Sequence, residues 1–561
     1  MIDVKEKHVA RSTEPSSSLS TAFHKYAYEF VRPEEAWKAV SKGEAVVDSP
    51  EEYVAILMKH STKVETARWE RNQAIGSQAR VQRMRTMKAL RILLWPLLVA
   101  IGVGCTVGRD YRPPQVQVPA KWSEAEQKGA TTAPVEITQW WATFNDPVLT
   151  SLIDRAVRSN HDLRVAEWRI REARASRGVT AAAAWPTADV SADYSRSRAS
   201  KNAPNVAPNS AGKATDLFQI GFDAGWEIDV FGGVRRAVEA ADADVAASEE
   251  NRRDVLLTLV AEVARNYVEV RGFQRRLAIA GKNITSQQET LELTRIRLEA
   301  GLITELDVAQ AEAILATTQS QVPTLDSALK QAVHRLGVLL GQDPGALLPE
   351  LSNDAPIPGI PPEVPVGLPS DLLRRRPDVR RAERDLAGAT ARVGIATADL
   401  FPRFSLTGAF GLQSVSLGDL ALWPSRVWSI GPTVRWPIFD AGRIRASIRV
   451  QDAREQQSLA QYEKAVLTSL EDVENALVAY GREQVRRRSL AQAVEANRLA
   501  ADLANERYTQ GLVDFLNVLE SQRQLYTSED QLVQSERGIV VNLVALYKAL
   551  GGGWEVFSQV N

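Results

Sequence analysis

The sequence predicts an α+β chain built as an internal two-fold repeat, each half a short β region followed by a very long helical hairpin. Three observations carry this. At an offset of 210, "WEIDVFGGVRRAV" (226–238) matches "WPIFDAGRIRASI" (436–448), and "RLEAGLITELDV" (297–308) matches "RYTQGLVDFLNV" (507–518). Two segments just before these matches alternate apolar and polar residues with the strand period of two. Two stretches, 233–300 and 443–510, are compatible with helix and free of proline.

The repeat orders the rest. The pairs Trp226/Trp436, Gly232/Gly442, Arg235/Arg445, Gly301/Gly511, Leu340/Leu550 and Gly341/Gly551 keep one spacing. Earlier, "NHDLRVAEWRIREARASRGV" (160–179) matches "RPDVRRAERDLAGATARVGI" (376–395) at an offset of 216, as do Trp185-Pro186 and Phe401-Pro402. The six-residue difference falls between those points, where "SKNAPNVAPNSAGKA" offers a long loop. A unit of about 200 residues is too large for a solenoid repeat, so the chain reads as two fused halves of one architecture.

In "QIGFDAGWEID" (219–229), Ile220, Phe222, Ala224, Trp226 and Ile228 alternate with polar or small residues over the length of a membrane strand. "VWSIGPTVRWPI" (427–438) repeats the pattern with Trp428, Ile430, Val434, Trp436 and Ile438 on one side and Ser429, Thr433 and Arg435 on the other. Weaker partners precede each, "ADVSADYS" (188–195) and "FSLTGAFGL" (404–412), giving two hairpins. A soluble sandwich would show the same alternation. The tryptophans on the apolar side point instead to a membrane interface. Neither two nor four strands close a barrel, because open edges leave backbone groups unpaired in lipid. Strands that enter a membrane here therefore require several copies of the chain.

Each long helix, at about 1.5 Å per residue, reaches roughly 100 Å. Both end alike, with Arg297 or Arg507 in the last turn and then Gly301 or Gly511. A basic last turn suits the helix dipole and glycine accepts the left-handed cap, so the chain reverses there. In the helices that follow, Val308, Leu315, Val322, Leu329 and Leu336 recur every seven residues, and Val518, Leu525, Leu532, Ile539 and Leu546 do so in the same registers. Such a seam is the mark of helices supercoiled against one another.

Composition excludes several classes. The 561 residues carry 68 basic and 69 acidic side chains, so no nucleic-acid partner is indicated. Five histidines and one cysteine supply neither a metal centre nor a set of nucleophile and base, so neither an enzyme nor a metal or other bound cofactor is expected. The single cysteine, Cys105, closes the run "ILLWPLLVAIGVG" (92–104), which follows Arg85, Lys88 and Arg91. The run is too short to span a membrane, which takes about 20 residues, but suits the apolar part of a signal peptide. Residues 1–83 are polar and unlike the rest, and Met84 or Met87 would begin a signal of ordinary length. We therefore expect 1–83 to be a mis-assigned or removed extension and 84–104 a signal. The two repeats then cover 105–350 and 351–555, with a C-terminal tail at 556–561.

Four segments in fixed order, "CTVGRDYRPP" (105–114), "WWATFNDPVLTSLIDRAVRSNHDL" (140–163), "LPSDLLRRRPDVRRAERDL" (368–386) and "RYTQGLVDFLNVLESQRQL" (507–525), make the chain resemble the TolC-like outer-membrane factor family, in its lipoprotein (NodT/OprM-like) branch. The resemblance spans residues 105 to about 555. It implies an α+β membrane protein that forms a homotrimer: four strands per subunit give a twelve-stranded transmembrane β-barrel, continued by a long periplasmic α-helical barrel. It also implies lipid on Cys105, such as palmitate, anchoring the chain at the outer membrane bilayer.

Polar Asp223, Glu227, Thr433 and Arg435 would then line a wet lumen, and loops 198–215 and 413–426 would face outside the cell. The proline-rich segment 342–367 would form a belt around the middle of the tunnel, or else a plain linker between the halves. Family members close the periplasmic end with acidic residues just after the turn glycine of the second repeat, positions that fall here on Asn517 and Glu520. Three copies of Glu520 near the axis would disfavour anions. A tyrosine and an aspartate that latch one hairpin to the other match Tyr508 and Asp307, while the latch's arginine is replaced by Val513.

The function so implied is a passive exit channel in a tripartite efflux system, one that serves multidrug resistance in this family. It conducts drugs or other small solutes from an inner-membrane pump and a periplasmic adaptor. The alternatives are the outer-membrane component of a type I protein-secretion system and a periplasmic adaptor lipoprotein.

Overall fold

Two 67-residue helices dominate the computed structural model, which describes residues 106–123, 130–131, 138–202, 204, 212–361 and 364–559. Cys105 and the apolar run before it lie outside the described residues. Strand β1 is Ala130–Thr131. Helices α1 (Pro147–Ser159) and α2 (His161–Ala182) follow, then β2 (Thr187–Arg198) and β3 (Ala214–Ile228), then α3 (Gly233–Glu299) and α4 (Glu305–Leu339). The second half repeats the order: β4 (Val364–Pro365), α5 (Pro377–Ala398), β5 (Arg403–Ser414), β6 (Arg426–Arg435), α6 (Arg443–Thr509) and α7 (Phe515–Ala549).

The repeat holds element by element. Helices α2 and α5 have 22 residues each, β2 and β5 have 12 each, and α4 and α7 have 35 each. The six-residue shift lies between β2 and β3, where the alternation predicts a loop. Each long helix starts after a left-handed glycine, Gly232 at φ 80° or Gly442 at φ 85°. Each reverses at Gly301 (φ 72°) or Gly511 (φ 75°). The reversals share one hydrogen-bond pattern: Leu302 N–H donates to the Arg297 carbonyl and Gly301 N–H to that of Leu298, and Leu512 and Gly511 donate likewise to Arg507 and Tyr508. These paired bonds satisfy carbonyls that a helix end leaves unpartnered.

Strands β2, β3, β5 and β6 form one antiparallel sheet in that order. Two expectations about strand ends are corrected. Strand β3 begins at Ala214, and β6 stops at Arg435, opposite Arg403 where its partner β5 begins, leaving Trp436 and Ile438 beyond the sheet. The seven-residue seams of α4 and α7 are buried or half-buried at every position, and each helix packs along the long helix before it. Helix α5 lies against both α3 and α6, so the two halves interlock.

The main core sits around the middle of the long helices. It joins Leu256, Val263, Tyr267 and Val268 of α3 to Leu477 and Tyr480 of α6, and to Leu336, Leu543, Leu546 and Tyr547 of the helices that return. Helix α1 enters it through Leu149, Leu152 and Ile153. Asp146 caps α1 by accepting from Val148 and Leu149 N–H, and its other oxygen accepts from the Tyr267 hydroxyl at 2.6 Å. Segment 342–361 is more than a linker, since Leu347 and Leu351 are buried in this core, and β4 pairs with β1 beside it. Near the chain end, Trp554 is buried and Phe557 stacks on Trp141 at 5.7 Å.

Candidate functional site

The sheet is a wall with two unlike faces, set by strand alternation and register. Register places Val190, Phe222, Phe410 and Trp428 in one row and Ala188, Ala224, Gly408 and Ile430 in the next, all on one side. The opposite side carries Asp189, Asp223, Ala409 and Ser429 in one row and Glu227, Ser405 and Thr433 in another. No helix or second sheet covers the apolar side among the described residues. Phe222 is 61% exposed, Trp428 67% and Ile430 69%. A soluble sandwich would bury that face against a partner sheet, so the exposed row removes the sandwich reading.

Each edge strand, β2 and β6, pairs on one side only within the chain. Both hairpins are fastened to the turn that follows the preceding helix. The Trp226 indole donates to the Ala184 carbonyl at 3.0 Å, and the Trp436 indole donates to that of Leu400 at 3.0 Å. Both tryptophans were visible in the repeat, but their partners depend on side-chain direction, which periodicity does not encode.

A strap runs from the start of the described chain along this wall's base and down the helices. Thr106 packs against Gly232, where a Cβ would collide with the Thr106 backbone at 2.9 Å. The buried Arg236 guanidinium donates to the Val107 and Gly108 carbonyls and to Asp110 at 2.7 Å. Arg109 pairs with Asp452 and Glu455 of α6, and Trp122 enters the main core with its indole donating to the Gly367 carbonyl. The strap thus binds both halves.

The far ends of the hairpins hold the other predicted residues. A small cluster there joins Leu291, Ala311, Tyr508, Phe515, Val518 and Leu519. Beyond it, Leu302 and Leu512, which follow the turn glycines, are 72% and 63% exposed. Asn517 and Glu520 lie exposed near the start of α7. Glu520 is not a lone acid. Its carboxylate pairs with Arg523 at 2.6 Å one turn on, a hydrogen bond that holds its pKa below the ordinary value. Sequence reading overlooked Arg523, although its spacing of three residues was the available signal.

The expected contact between Asp307 and Tyr508 is not made within the chain. Asp307 is taken up by the capping box of α4, its carboxylate accepting from the Thr304 N–H and hydroxyl at 2.9 Å each. The Tyr508 ring packs in the tip cluster, and its hydroxyl is buried with no hydrogen-bond partner among the described residues. What meets Tyr508 instead is Arg297, which the sequence offered only as a dipole-matching last-turn cation. Val513, where the arginine of a latch is replaced, packs against the same cluster.

Against known proteins, the family model described as outer membrane efflux protein matches residues 152–342 and 368–552, one match on each repeat. The chain belongs to that family. This efflux protein is 33% identical to the nodulation protein T of Rhizobium leguminosarum bv. trifolii over 80% of its length and 95% of the relative's. It is 34% identical to the pyoverdine export outer membrane protein OpmQ of Pseudomonas aeruginosa, over 75% of its own length and 88% of that protein. Among solved structures, the outer-membrane channel OprN superposes with a TM-score of 0.76 at 40% identity, over 80% of this chain and all of that one. The open state of the Neisseria gonorrhoeae MtrE outer membrane channel gives 0.70 at 29% identity, over 80% and 99%. These matches make the protein an outer-membrane efflux component with the fold of a helical barrel joined to a β-barrel, a family of channels and not of enzymes.

Proposed function

We propose that three copies of this efflux protein close their sheets into one twelve-stranded barrel, and that the resulting tunnel is the passive exit duct of a pump in the inner membrane. The observation that carries this is the four-stranded sheet, apolar and exposed on one face, polar on the other, with an open edge on each side. Such a sheet is stable in lipid only when copies join edge to edge. The polar face, with Asp223, Glu227, Thr433 and Arg435, then lines a wet lumen. Relatives named for pyoverdine export and for solvent efflux support a small solute as cargo, which favours efflux over protein secretion.

The exposed leucines at the hairpin tips support docking by an adaptor protein that links the duct to its pump, since a free apolar tip marks a contact surface. Thr106 beside Gly232, at the junction of β3 and α3, supports a lipid anchor on Cys105, because the described chain then begins at the membrane-facing end of the helices. The entrance is read at the tips, where Glu520 from each copy gives an acidic ring tempered by Arg523. The test is to extract the protein from outer-membrane fractions in mild detergent and measure its mass and conductance. The reading expects a trimer that forms cation-favouring channels in planar bilayers. A monomer, or a trimer without conductance, contradicts it.

A further inference from the structure

At the tips, where the cluster around Phe515 and a hydrogen bond from Gln522 to Thr290 join the two hairpins, one side chain also grips the backbone of the other hairpin. Arg297 stands in the last turn of α3, yet its guanidinium crosses to the end of α6. Its Nη1 donates to the Tyr508 carbonyl at 3.0 Å and its Nη2 to the Thr509 carbonyl at 3.0 Å. Its Cζ lies 4.3 Å from the centroid of the Tyr508 ring.

Three physical terms act in the same direction. The Thr509 carbonyl is one of those a helix end leaves without an intrahelical partner. The Tyr508 carbonyl already accepts from Gly511 N–H and offers its second lone pair. The positive charge also meets the negative end of the α6 dipole, and the planar fork fixes direction as a single ammonium could not. Stacking over the tyrosine adds a cation–π attraction.

The repeat supplies no second tie. Arg507 occupies the equivalent place on α6, and its side chain has no hydrogen bond or ion pair among the described residues. The backbone grip therefore runs one way, from a residue of the first repeat to the helix end of the second. Asp307 is occupied by Thr304, and the Tyr508 hydroxyl has no partner, so neither competes for this role.

We propose that Arg297 is the positioning residue that keeps the periplasmic entrance shut, by holding the second hairpin's end against the first. The proposal rests on reading the tips as a gate. Because the grip is on carbonyls and on a ring face, the tyrosine hydroxyl is dispensable to it.

Single-channel conductance of the whole trimer in planar bilayers tests this, with Arg297→Ala, Arg297→Lys, Tyr508→Phe and Asp307→Ala. Arg297→Ala should raise conductance several-fold without shifting the thermal unfolding of the trimer. Arg297→Lys should close the channel only in part, and Tyr508→Phe should conduct as the parent does. Should Arg297→Ala fail to assemble, Arg297→Gln, which keeps most of the stem, carries the same expectation. If Arg297→Ala conducts like the parent while Tyr508→Phe or Asp307→Ala opens the channel, the tie is elsewhere and the gate reading survives. If the parent already conducts as much as every variant, no gate exists at the tips and both readings fall.

Discussion

The same two long helices pass through two very different environments. Around their middles, α3 and α6 sit in a continuous apolar core reinforced by Trp140, which stacks on Tyr547 at 5.2 Å and donates its indole N–H to the Gly552 carbonyl. Toward the tips, the seam thins and turns polar. Gln287, Thr294 and Ser528 are buried there, and a small apolar cluster gathers around Phe515. Burial of apolar area supplies most of the stability of a packed helix, so the difference predicts a fixed waist and yielding tips. On the proposed reading, a duct that remains whole while its entrance opens needs that division.

The largest effect should come from breaking the waist. Trp140→Ala removes a fully packed indole, which costs about 3–5 kcal/mol in such sites. Thermal unfolding followed by circular dichroism should show the whole protein melting earlier. Retention of the parental melting point would show that the waist does not govern stability.

A matched change at the tips should behave otherwise. Leu291→Ala, in the small cluster, is expected to cost about 2 kcal/mol, the low end for buried leucine, because exposed neighbours can relax into the space. The loss should be local, seen as faster proteolysis near the turns with little change in the global melting temperature. A fall as large as that of Trp140→Ala would erase the distinction.

The smallest effect separates two ion pairs by pH. At the waist, Arg376 donates to Asp378 and Asp472 and to the Ala549 carbonyl at the end of α7. Burial pushes the Asp378 carboxyl up, but its hydrogen bond to Arg376 and that charge outweigh it, and its pKa lies below the ordinary value. A depressed carboxyl stabilises the fold above its unfolded pKa of about 3.9 and loses that contribution as pH falls through the lower folded value. Asp378→Asn should therefore lower the melting temperature at neutral pH, by the equivalent of about 1–2 kcal/mol, and narrow the difference between neutral pH and pH 3. Glu520→Gln at the tips should leave melting unchanged at both, since its pair with Arg523 is exposed.

Much of this was legible in the sequence because it is periodic or punctuated. Helix lengths followed from the absence of proline and from the glycines at 301 and 511, and the two sheet faces followed from alternation in 219–229 and 427–438. What was not legible depends on where a side chain points after long-range packing. The indole of Trp226 reaching Ala184, Arg297 reaching Tyr508 across 211 positions, and Phe557 returning to Trp141 have no local signal. Within the chain, the contact expected between Asp307 and Tyr508 is not made for a local reason: the Thr304 cap three residues away takes up the carboxylate.

Hydrogen exchange of the assembled protein in detergent, read by mass spectrometry, tests the waist and tips most directly. Amides of 256–270 and 539–549 should exchange only on global unfolding. Those of 285–317 and 497–527 should exchange orders of magnitude faster through local opening. Equal protection along the full length of α3 and α6 would contradict a fixed waist with yielding tips.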